Sequence, residues 1–184
     1  NIKESNFTSN EAILGGAIYL NNKDNVVTGS DFTQNAAIQG GAVYVGASNN
    51  RIADSNFDNN SATYDLTLDT TASQFKTKGG AIYVGSESTV IDNSKFTNNK
   101  AQTNVGYNDL GNPLDATDDG FGGAIFVGAN KANVTSSEFN DNRAVNGSAI
   151  YNDASNTLLK NDTFIKNQAW ISRSEERFSR NAET

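Results

Sequence analysis

Two short motifs alternate along the whole of this 184-residue chain. Paired glycines, an alanine and an aliphatic–aromatic–aliphatic triplet occur at Gly15–Leu20, Gly40–Val45, Gly79–Val84 and Gly122–Val127, and in weakened form at Gly147–Asn152. A Phe with Asn three residues later occurs at Phe7/Asn10, Phe32/Asn35, Phe57/Asn60, Phe96/Asn99, Phe139/Asn142 and Phe164/Asn167. From the first Gly to the next Phe the interval is always 17 residues, as in Gly79 to Phe96. From Phe to the next Gly it is 8 residues in three cases, which makes a period of 25. A fixed period of this length requires an architecture in which each unit contacts mainly its neighbours, a solenoid.

Other positions keep the same register. An aliphatic residue stands five before each Phe (Ile2, Val27, Ile52, Ile91, Val134, Leu159), and an Ala five after it, from Ala12 to Ala169. Turn-type residues stand three before it (Glu4, Gly29, Asp54, Asn93, Ser136, Asn161). Ser stands two before it in five copies, with Asp162 breaking the series. Leu is too scarce for leucine-rich repeats. The segments between Gly and Asn punctuation are too short for helices and rich in β-formers.

The pattern predicts an all-β fold, a right-handed single-stranded parallel β-helix of about six coils of 25 residues, with three short strands and three turns per coil. In one copy the strands are Ala81–Val84, a strand around Val90–Ile91, and Ser94–Phe96. Alternation sends Ile82 and Val84 inward and Ala81 and Tyr83 outward, with Ser94 and Phe96 inward. Equivalent residues then form ladders. Phe7, Phe32, Phe57, Phe96, Phe139 and Phe164 make one, and Asn10, Asn35, Asn60, Asn99, Asn142 and Asn167 another, whose amides bond to one another and to the turn backbone. The first Gly of each pair suits a left-handed turn.

Composition agrees with a solenoid more than with a compact globule. Hydrophobic residues make up 36% and charged residues 19%, and Asn is the commonest residue. A net charge of −7 argues against nucleic acid or an anionic membrane as partner. No His, Cys or Met is present, which removes the commonest general base, thiolate chemistry and disulfides. No run is long and apolar enough for a membrane helix, so no membrane insertion is expected of this segment. No cofactor is expected either.

The double signature, Gly-Gly-Ala with an aliphatic and Phe-x-x-Asn, resembles the repeats of chlamydial polymorphic outer membrane proteins. It is also similar to adhesin-like surface proteins of methanogenic archaea and gut bacteria. The resemblance covers Asn1 to about Ser172 in eleven motif instances; Gly147-Ser148 departs from the paired glycine. It implies a cell-surface or extracellular location and a stalk or passenger role. The implied partner is a protein or carbohydrate on another cell surface, with the rest of its own chain capping the solenoid.

In two copies the Phe-to-Gly interval grows from 8 to 22 (Phe57 to Gly79) and 26 (Phe96 to Gly122), so 14 and 18 residues enter at one corner. These insertions, about 63–78 and 102–121, belong on one edge of the solenoid. The first alternates enough to form a small hairpin beside the coil; the second is rich in turn formers. Asp115, Asp118 and Asp119 in the second are candidate Ca²⁺ ligands. The plainer reading is a solvated acidic loop, since no EF-hand or nonapeptide spacing is present. The repeat spans 1–172. Residues 173–184, RSEERFSRNAET, resemble the translation of a sequencing adapter and are read as a non-native tail. Without caps, β-edges are expected at both ends.

Two surfaces merit a functional reading. The outward aromatics Tyr19, Tyr44, Tyr83, Phe126 and Tyr151 make a strip able to bind a sugar or a protein, or simply to stabilise itself under the insertions. The alternative is a polysaccharide lyase or hydrolase, since parallel β-helices house such enzymes. That chemistry needs two or three carboxylates converging with Lys or Arg. Here acidic residues stand singly in turns, as at Asp31, Asp54 and Asp92, so no catalytic residue is assigned.

Overall fold

The structure, a computed structural model, describes residues 1–65, 76–104 and 120–169. Every regular element in that range is a strand. Each strand pairs in parallel with the equivalent strand one repeat away, in the register the repeat dictates: Ile82 lies between Val43 and Ile125, and Phe96 between Phe57 and Phe139. This is a parallel β-helix.

Each full coil contributes to four sheets rather than three. The first stacks six strands, Ile2–Lys3, Val26–Thr28, Arg51–Ala53, Val90–Asp92, Asn133–Thr135 and Leu158–Lys160. The Phe sheet stacks Asn6–Thr8, Asp31–Thr33, Asn56–Asp58, Lys95–Thr97, Glu138–Asn140 and Thr163–Ile165. The Tyr sheet stacks Ile18–Leu20, Val43–Val45, Ile82–Val84, Ile125–Val127 and Ile150–Asn152. The additional sheet follows the Asn corner: Ala36–Ala37, Ser61–Asp65, Lys100–Asn104, Arg143–Ala144 and Gln168–Ala169. Its members are as short as two residues, too short to show an alternation. Its buried alanines, Ala62, Ala101 and Ala144, form a small cluster of their own.

Left-handed residues make the changes of direction. Around the coil that carries Phe57 they are Asp54 (φ 51°), Asn59 (φ 54°), Gly79 (φ 67°) and Ser88 (φ 58°), and the other coils repeat the scheme. Asn and Asp tolerate this conformation better than other residues with a Cβ, which is one reason the chain is rich in Asn. The second glycine of the pair has another cause. A Cβ on Gly80 would stand 1.9 Å from the carbonyl oxygen of Gly123 on the next coil, so only glycine lets the coils close to sheet spacing at that corner. Ser148 replaces this glycine in the corner before the last strand of the Tyr sheet, Ile150–Asn152, beyond which no described strand stacks.

The bore is filled by ladders. Val43, Val45, Ile82, Val84, Ile125 and Val127 are fully buried, with Val27, Ile52 and Val134 facing them from the first sheet. The Phe rings stack at 4.7–4.9 Å with interplanar angles of 2–9°. Phe32, Phe57, Phe96 and Phe139 are buried, while Phe164 in the last coil is 50% exposed. Beside them the backbone N–H of Ser55 donates to Ser94 Oγ at 3.3 Å, and Ser94 Oγ donates to Asp92 O at the end of the preceding strand. Asp162 ends this row by accepting from the backbone N–H of Ser137 at 2.8 Å.

The Asn corner is satisfied by the same amide in every coil. Asn99 Oδ1 accepts from both the backbone N–H and the side-chain amide of Asn60, each at 3.0 Å. Asn99 Nδ2 donates to Asn142 Oδ1 at 3.0 Å and to the carbonyl of Phe57 at 2.9 Å. Asn35, Asn60, Asn99 and Asn142 are fully buried, so their polar atoms are tolerated only because these bonds are complete.

One assigned face differs from the expectation. Ala81, with Ala42 and Ala124, is fully buried in the core rather than outward. The strand begins at Ile82, so Ala81 still belongs to the corner made by Gly79, and the strand's alternation does not reach it. No helix among the described residues is long and apolar enough to cross a membrane.

Candidate functional site: an aromatic strip beside two paired insertions

Residues at the centre of each Tyr-sheet strand face away from the bore, and parallel in-register pairing places them one above another. Tyr44 and Tyr83 stack at 4.7 Å, Tyr83 and Phe126 at 5.2 Å, and Phe126 and Tyr151 at 5.5 Å, with planes within 11°. Tyr19 departs from the stack: its ring meets Tyr44 edge-on, at 75° and 5.0 Å. The stacked rings therefore turn their faces to one another and their edges outward. Tyr19 alone is rotated out of that arrangement.

The rings lie down over glycines. A Cβ on Gly46 would come within 2.8 Å of the Tyr19 ring, one on Gly85 within 2.7 Å of the Tyr83 ring, and one on Gly128 within 2.8 Å of the Phe126 ring. For the last two the signal was present as the aromatic-Val-Gly triplets Tyr83–Gly85 and Phe126–Gly128; Gly46 lies under Tyr19 of the neighbouring coil, a contact no triplet marks.

Cover along the strip is graded. Tyr19 is 49% exposed and Phe126 only 2%, with Tyr44, Tyr83 and Tyr151 between. Phe126 is thus on the outer face without being solvent-facing. Tyr83 and Tyr151 stack on its two faces, and the return strand of the first insertion, Thr77–Lys78, holds Lys78 Nζ 4.5 Å from the centre of its ring. Lys76 Nζ lies 5.4 Å over Phe121, whose ring in turn meets Tyr151 edge-on. Burial raises the Tyr44 phenol above its ordinary pKa, with the neighbouring Tyr19 adding to the effect. Burial likewise raises Tyr83, helped by Tyr44 and by the carboxylate of Asp153.

The insertions leave and return side by side. The outgoing strands Ser61–Asp65 and Lys100–Asn104 pair in parallel over five residues, and the returning strands Thr77–Lys78 and Gly120–Phe121 pair in the same sense. At its base the first insertion is therefore not a hairpin closing on itself; its partner is the second insertion, one coil away. Parallel pairing continues outward because both insertions branch from the same corner of adjacent coils. Residues 66–75 and 105–119 lie outside the described residues, and with them Asp115, Asp118 and Asp119. The tail 173–184 does as well.

Where the outgoing strands begin, a groove of about 640 Å³ is lined by Asp58, Asn98, Lys100, Gln102, Asp141 and Arg143 among others. It holds two carboxylates, Asp58 and Asp141, and two cations, Lys100 and Arg143, all on the strand ends and turns of the Asn corner. Among the described residues no three of Asp, Glu, His or Cys gather closely enough to hold a metal ion. Asp54 and Asp92 are engaged in surface contacts: Asp54 accepts from Asn93 Nδ2 at 2.7 Å, and Asp92 pairs with Arg51 at 2.7 Å.

No curated protein and no solved structure matches the chain significantly. The family model of the Chlamydia polymorphic membrane protein repeat matches residues 54–85 and 93–128. Each matched segment runs from the left-handed residue before a Phe to the glycine under a stacked ring, and each contains one of the two insertions. Two adjacent repeats thus match the Chlamydia polymorphic membrane protein repeat, and the described coils outside them repeat the same strands, corners and ladders.

Proposed function

We propose that the chain is a wall segment of a cell-surface passenger or stalk of adhesin type, and that its contact with a ligand on a host or neighbouring cell runs through the open half of the aromatic strip. The family match supports the surface-associated role. The single observation behind the contact site is the gradient of cover, from a Phe126 closed under Lys78 to a Tyr19 turned out of the stack and half exposed. Ladders stabilise a solenoid whether or not they are covered, so the half-exposed Tyr19 and the partly exposed Tyr44 and Tyr83 are the part that scaffold duty leaves available. Aromatic edges and phenol hydroxyls suit a surface that is partly apolar and partly hydrogen-bonding. The proposed role is non-catalytic.

Binding of the labelled chain to cultured cells, measured by flow cytometry, tests both parts. Saturable binding that falls at least tenfold in a Tyr19→Ala/Tyr44→Ala/Tyr83→Ala variant of unchanged β-structure is the expected result. Undiminished binding by that variant would move the contact away from the strip, and the absence of saturable binding would leave a stalk without adhesive function. Release of unsaturated or reducing ends from pectate or alginate by the chain would instead establish the enzyme reading.

A further inference from the structure

We draw no further inference here: the strongest candidate, the apolar end face of the solenoid formed by Leu158, Leu159, Phe164 and Ile165, carries nothing because nothing in the structure shows what covers it.

Discussion

Two rows of stacked rings run along the solenoid, one inside it and one outside. The inner Phe row and the outer Tyr/Phe row have nearly the same spacing, 4.7–4.9 Å against 4.7–5.5 Å. The spacing is therefore a property of parallel, in-register pairing and says nothing about function. What separates the rows is water. Between the first and last coils the Phe rings are closed from solvent on every side, while the outer rings pass from buried Phe126 to half-exposed Tyr19 within four coils. Ring stacking in a repeat protein is thus an outcome of architecture, and cover is the variable that separates the two rows.

The contrast fails first if the inner row is not the core. Phe96→Ala should destabilise the fold by roughly 3–5 kcal/mol, as expected for a buried aromatic, seen as a lowered midpoint in urea; a neutral substitution would place Phe96 outside the core. Next in size is the amide row beside it. Asn99→Ala strips the acceptor from two Asn60 groups and the donor from Phe57 O, and buried groups left unpaired cost about 1–3 kcal/mol each before relaxation. Asn10→Ala, at the exposed end of the same row, should cost less than about 1 kcal/mol. Equal effects would show that the ladder acts as one body rather than through local satisfaction.

On the outer row the effects should shrink with exposure. Tyr83→Ala loses two stacking contacts of about 0.5–1.5 kcal/mol each, and Tyr19→Ala, with a single edge-on contact, should change stability less and, on the proposed contact, binding more. The pH profile sharpens the comparison from another side. Tyr44 and Tyr83 ionise above their ordinary value of 10.0 when folded, so above about pH 10 the unfolded chain binds fewer protons than the folded one. Their contribution is fully present below that value and is lost as pH rises through the folded pKa. Thermal midpoints should fall as pH rises above about 10, and Tyr44→Phe/Tyr83→Phe should flatten that fall; an unchanged slope would assign it to other groups. The smallest change is expected of Lys78→Ala, about 1 kcal/mol or less, with greater access of apolar dye to Phe126 as the more sensitive readout.

The strict 17-residue interval from Gly to Phe was enough to establish the solenoid, the parallel register, the inward Phe, Ser and Ile/Val rows and the corner Asn, because stacking identical coils brings identical residues together. The insertion point was legible too, as the one interval that varied. The fourth sheet was hidden because two residues carry no periodicity, and Ala81 was misplaced because alternation was extended past the corner into a turn. Tertiary structure alone decided how the outer strip is covered. Tyr44, Phe126 and Tyr151 occupy equivalent positions in the repeat but differ in cover: Lys78, on the return strand of the first insertion, stands over Phe126, while Tyr151 lies in the last described strand of its sheet. A repeat specifies every ladder by local register; which rung meets water depends on what the irregular segments are folded against.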